Sequence, residues 1–168
     1  SRESSDGHGA PQPPIVVGGP KVSDFKGNSA NGTWQVALGL EHRLGAFASS
    51  DHRSNNISYG GVYVKELNRK EIFDAMDARR TTAATDKIFM EFSCNGHLMG
   101  EEFETSETPS IKIKVHGTAP IRKVTLIRNE QNYEVWEPSS EEFDFSISFK
   151  DEKSKRGEYR YYLRVEQI

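Results

Sequence analysis

Ile111-Lys112-Ile113-Lys114-Val115-His116 alternates apolar and polar side chains without a break. That period of two puts one face of a β-strand on a core and the other in water. Outward from it, residues 88–94 precede it with strand composition, and residues 124–128, 133–136, 143–147 and 159–165 follow in the same texture. Turn signals separate these runs at Asn95-Gly96, at Gly117-Thr118-Ala119-Pro120, at Asn129-Glu130-Gln131-Asn132 and at Lys155-Arg156-Gly157. Short strands at this spacing predict an antiparallel β-sandwich of about six or seven strands over residues 86–168.

Before Thr85 the pattern changes. Residues 7–33 are rich in Gly, Pro, Ser and Asn and read as loop around the short run Ile15-Val16-Val17. Trp34, Ala37, Leu38 and Glu41 fall at helical spacing behind Thr33, a capping residue, and predict a helix of about three turns. Residues 46–50 read as a buried strand that ends at Asp51-His52, and residues 59–64 as a second strand. Asn68 and Glu71 form the two ends of a capping box, and Ile72, Phe73, Met76 and Arg80 lie on one helical face, so a helix is expected over 69–80. Two helices and two or three strands in residues 1–85 are too few to close an α/β sheet or barrel. This half reads as the end of a larger α/β domain, with Trp34, Phe47 and the Ile72, Phe73 and Met76 face turned towards strands outside the chain.

The chain has 168 residues, 35% hydrophobic, with 22 Lys and Arg against 25 Asp and Glu and a net charge of −3. No basic stripe is present, which argues against nucleic acid and anionic membrane as partners. The single Cys94 excludes an intramolecular disulfide and a cysteine-based zinc knuckle. No apolar run reaches the ~18 residues of a transmembrane helix. A first residue that is not Met, and an opening without a signal peptide, are expected of a chain that starts partway through a longer protein of the bacterial cytoplasm or periplasm.

Few residues carry candidate chemistry. Asp51 and His52 place an acid and an imidazole where an apolar strand is expected to end, a common position for ligands in α/β sheets and a normal donor set for Zn, Mn or Fe. A turn with a capping Asp is the ordinary alternative. Asp6 and His8, with Glu3 nearby, sit in a Gly-containing loop that suits a metal or phosphate and equally suits plain solvation. Arg79 and Arg80 follow a helix, where they either hold an anion through paired hydrogen bonds or complement the helix dipole. Tyr159, Tyr161 and Tyr162 with Trp136 suggest an aromatic platform for carbohydrate, against which stands ordinary core packing of Tyr159, Tyr161 and Leu163 on one face.

Taken in order, residues 48–59, 69–76, 79–86, 96–103, 117–121 and 161–167 resemble a bacterial family of the PHP superfamily, named for polymerase and histidinol phosphatase and akin to carbaryl-hydrolase-type metallohydrolases. The resemblance implies α/β plus all-β architecture, in which the closing portion of a PHP-type (β/α)7 barrel over 1–85 is followed by an antiparallel β-sandwich over 86–168. It implies a metal-dependent hydrolase acting on a small-molecule phosphoester, or on a related ester or amide, with water activated by divalent Zn, Mn or Fe. Asp51 and His52 match the family's metal ligands, and Asn56 stands where relatives carry a further His. Arg2-Glu3-Ser4-Ser5-Asp6 matches an Arg-x-Ser-x-Glu motif ahead of Gly-Ala-Pro, which puts Asp6 at the acid, with Asp6 or His8 contributing from the lip. Arg80 would clamp a negative group of the substrate. The family's opening His-x-His is absent from this chain, so the isolated chain is expected to be inactive. The alternative from a different class is a non-catalytic binding or structural module centred on the sandwich.

Overall fold

A computed structural model describes residues 34–49 and 58–168. In chain order the elements are α1 (Trp34–Gly39), β1 (Tyr59–Val62), α2 (Arg69–Asp77), β2 (Thr81–Ala84), β3 (Phe89–Cys94), β4 (His97–Leu98), β5 (Ser110–His116), β6 (Ile121–Arg128), β7 (Gln131–Trp136), β8 (Asp144–Lys150) and β9 (Tyr161–Gln167). The strands form three antiparallel sheets: β1-β2, β4-β3-β5-β8 and β7-β6-β9.

The two larger sheets share one core. Ile111, Ile113 and Val115 of β5 point inward while Lys112, Lys114 and His116 face water, the pattern written in their alternation. From β3 come Phe92 and Cys94, and from β6, in the other sheet, come Ile121, Val124 and Leu126. Trp136 of β7, the Phe145, Ile147 and Phe149 face of β8, and Tyr161, Leu163 and Val165 of β9 pack around them. Tyr161, Leu163 and Val165 therefore form the inward face of β9, and Tyr159 precedes the strand.

Turn chemistry fixes two registers. Asn95 and Gly96 both adopt positive φ, 48° and 87°, and reverse the chain between β3 and β4. This is the mirror-image two-residue turn that matches strand twist. Asn129 and Glu130, at φ 47° and 63°, do the same between β6 and β7.

The expected barrel portion is not present. Among the described residues before Thr85, the strands are β1 and β2 alone, and they pair antiparallel, Tyr59 opposite Ala84 and Val62 opposite Thr81. A barrel of βα units needs parallel neighbours joined by a crossover helix. Here the nine-residue α2 lies between two antiparallel strands, and the sheets formed by the described residues are open and antiparallel. The mostly β character of the described chain replaces the α/β expectation.

Smaller corrections follow the same line. No strand forms over the described residues 46–49, and the reason is burial: Phe47 is 55% exposed, its ring lying over the backbone of Gly60, so the run does not supply a buried strand. Helix α1 is shorter than its periodicity suggests, ending at Gly39, with Glu41 in the left-handed region. Trp34 packs edge-on against Tyr162 at 5.0 Å rather than facing outward. Helix α2 starts as expected, with Glu71 N donating to Asn68 Oδ1 at 2.9 Å, and ends at Asp77, before Arg79 at φ 58°.

Candidate functional site

Three polar or concave regions stand out, and each is built by strands or turns that hold its side chains. The first surrounds Asp151, which follows β8 and is fully buried. Its carboxylate accepts hydrogen bonds from Arg128 Nη1 at 2.7 Å, from the Tyr161 hydroxyl at 2.6 Å, from the Tyr133 hydroxyl and from Lys153 N at 3.2 Å. Arg128 in turn lies 3.8 Å from the centre of the Tyr133 ring. Burial pushes the Asp151 carboxyl up, and hydrogen bonds from Tyr133, Tyr161 and Arg128 outweigh it, so its pKa lies below the usual carboxylate value. Burial, then the hydrogen bond to Asp151 and its charge, push the Tyr133 hydroxyl up to about 12 and raise Tyr161 as well, and burial followed by the Asp151 charge raises the Cys94 thiol. Protonated tyrosines and an ionised, fully satisfied carboxylate make a stable network rather than an acid–base pair poised near neutrality.

The second region joins the segment carrying α2 to the large sheets. Arg79 Nη2 donates to Gly100 O and to Glu102 Oε1, each at 2.8 Å, and Arg43 Nε reaches Glu102 Oε2 at 2.7 Å. Arg80 Nη2 lies 3.4 Å from Glu101 Oε1, and the other carboxylate oxygen, Oε2, meets His97 Nδ1 at 3.0 Å, while Arg80 Nε is buried without a partner among the described residues. The left-handed Arg79 turns both guanidinium groups towards the loop after β4. Arg80, the residue expected to clamp a substrate, is placed against Glu101 at this junction.

The third is a groove of about 610 Å³ between the end of β7 and the start of β8. Val135, Trp136, Pro138 and Phe145 line it, with Glu137, Glu142, Asp144 and Ser146 around them. The Trp136 and Phe145 rings are 5.8 Å apart. Strand β7 pairs only with β6, and β8 only with β5, so each leaves one backbone edge without a strand partner among the described residues. The connection between them is anchored by Gly117 N to Phe143 O at 2.8 Å and Ile121 N to Glu142 O at 2.7 Å. Of the aromatic residues proposed as a platform, Trp136 lines this groove, whereas Tyr161 belongs to the Asp151 network.

The expected metal positions Asp51 and His52, with Asp6, His8 and Asn56, lie outside the described residues. Among the described residues no group of three or more His, Cys, Asp or Glu side chains is arranged to hold a metal ion. Sequence reasoning missed Asp151, because Lys150-Asp151-Glu152-Lys153 reads as a solvated charged turn and its partners come from three separate strands. It also missed the groove, although one signal was available: residues 129–149 contain Glu130, Glu134, Glu137, Glu141, Glu142 and Asp144 and no Lys, Arg or His.

Among the described residues no helix is long and apolar enough to cross a membrane. No family model and no solved structure matches the chain. Over 150 residues it is 27% identical to an uncharacterized protein of Chlamydia trachomatis serovar D, a match covering 79% of this chain and 24% of that protein. An uncharacterized protein of Chlamydia pneumoniae is 28% identical over 122 residues, covering 63% of this chain and 20% of its own length. The chain thus spans a quarter or less of the length of the curated relatives it matches.

Proposed function

We propose that residues 86–168 act as a non-catalytic binding module within a longer protein, working through the open side of the two-sheet core. The observation that carries this reading is the pair of strand edges, β7 and β8, flanking a groove floored by Trp136 and Phe145. Exposed edges are templates for pairing, and folds that leave them uncovered use them or guard them. The other two polar regions are closed on themselves by ion pairs and hydrogen bonds, and they serve to hold the sheets and the α2 segment together.

The metal-dependent hydrolase reading rests on the collinear resemblance and on Asp51 and His52. One experiment separates the two. The longer protein that carries this chain and its Asp51→Ala variant are loaded separately with Zn, Mn and Fe, their metal content is measured, and hydrolysis of p-nitrophenyl phosphate is followed. The module reading expects equal metal content and no metal-dependent turnover in either protein. Turnover that needs metal and disappears in Asp51→Ala would replace the module with the hydrolase.

A further inference from the structure

The binding-module reading leaves its ligand unnamed, and the groove supplies the missing chemistry. Its aromatic lining comes from Trp136 and Phe145, which also pack against the shared core. Three acids, Glu137, Glu142 and Asp144, stand in its lining. Asp144 is held by His116 Nδ1 at 2.8 Å, but among the described residues no cationic group pairs with Glu137 or Glu142. Residues 129–149 contain no base, and on the paired strands Lys114, opposite Ser146, and Lys123, next to the Val124 that faces Trp136, are engaged with Glu91 and Glu166. Three consecutive residues of β8, Asp144, Phe145 and Ser146, line the groove, and β8 is an edge strand whose outer backbone groups have no strand partner among the described residues. A lysine on such an edge is a common guard against strand addition, and the groove end of β8 has none.

From this juxtaposition of unpaired β8 edge, aromatic floor and uncompensated Glu137 and Glu142, we infer that the module binds an extended, basic polypeptide segment by strand addition to β8. Backbone hydrogen bonds to β8 supply the pairing. Apolar side chains at every second position enter the groove over Trp136 and Phe145, and Lys or Arg at the positions between them meets the glutamates. The negative rim disfavours nucleic acid and acidic peptides.

The inference rests on the module reading, and its test is built to fail separately. A fluorescein-labelled peptide of alternating Lys and Val is titrated with the full 168-residue chain and followed by anisotropy. Two counterparts run beside it, one with Glu in place of Lys and one N-methylated at alternate backbone positions. Both counterparts are expected to bind at least about tenfold more weakly than the Lys–Val peptide, and added salt should weaken the Lys–Val complex. The double substitution Glu137→Lys with Glu142→Lys should also cost at least about tenfold, and because both side chains face solvent its thermal melt should match the wild type.

Equal binding of the Glu counterpart, or no loss in the folded double variant, overturns the inference. So does binding of a soluble glucan with no binding of the Lys–Val peptide, which would make the occupant a carbohydrate. Self-association in sedimentation that the peptide does not compete would make it a second copy of the chain and would overturn the inference too. Absence of peptide binding by the chain, with no metal-dependent turnover in the longer protein, overturns this inference and leaves the module reading standing. Metal-dependent turnover lost in Asp51→Ala overturns the module reading itself.

Discussion

Asp151 has no access to solvent and four donors, two of them tyrosine hydroxyls that stay protonated across the physiological range. Removing its charge while keeping its shape, by Asp151→Asn, leaves the Arg128 guanidinium without a counter-ion in a partly buried position and should cost about 3 kcal/mol in a urea titration. The pH dependence has a definite sign. The folded pKa lies below the unfolded value of about 3.9, so the unfolded chain binds a proton first on acidification. The stabilisation is whole above that unfolded value and is lost as pH falls through the folded one. Stability of Asp151→Asn should therefore change less with acidification than the wild type; parallel pH profiles would show that Asp151 is not the group responsible. Glu130 poses a sharper residue-level question, because a buried, non-glycine side chain sits at φ 63° and is held by Arg160 Nε at 3.1 Å and Nη2 at 3.2 Å. Both Glu130→Ala and Glu130→Gly remove that ion pair, and only the second relieves the backbone. Glycine should be the more stable of the two by about 1 kcal/mol, and equal melting of both variants would refute backbone strain at this turn.

At the scale of elements, the hairpin turns separate backbone demands from packing. Gly96 has φ 87° and no atom within 4 Å of where a Cβ would stand, as is also true of Gly157, which lacks a positive φ. Gly96→Ala should cost about 1 kcal/mol through conformation alone, while Gly157→Ala should stay within about 0.5 kcal/mol of wild type. Equal effects in chemical denaturation would contradict the mirror-image turn at Asn95-Gly96. That turn was legible in the sequence because Asn-Gly has few other uses, and β5 was legible because its alternation matches burial residue by residue. Helix α2 was legible at its start, where Asn68 and Glu71 are local signals, and less so at its end, where Arg79 leaves the helix through a conformation that its side chain does not advertise. Residues 46–49 misled for the opposite reason: an apolar run fits a buried strand or a loop that lays one aromatic ring on a neighbour, and Phe47 over Gly60 is the second. The Asp151 network was illegible, since hydrogen bonds among β6, β7, β9 and the turn after β8 exist only once the sheets have formed.

On the whole-molecule scale the question is whether the segment carrying β1, α2 and β2 folds as one unit with the two large sheets. The contacts that join them differ in kind. Exposed ion pairs such as Arg43–Glu102 and Arg79–Glu102 are each worth under about 1 kcal/mol. The backbone approach at Gly100 is more demanding: its φ is 90°, and a Cβ there would meet the carbonyl oxygen of Ala78 and the backbone of Arg79. Gly100→Ala must therefore push the end of α2 away from the loop after β4, and it should break the Arg79 hydrogen bond to Gly100 O in doing so. If the α2 segment opens independently, hydrogen exchange in α2, β1 and β2 should quicken by about tenfold or more, while amides of β5 and β6, buried in the shared core, keep their protection. Glu102→Ala, which removes ion pairs and leaves the close approach intact, should change the same amides by less than about fivefold. Uniform acceleration across all strands in Gly100→Ala would instead make the whole described chain a single cooperative unit. In that case the antiparallel β1-β2 pair would belong to the module as much as the sheets that carry its groove.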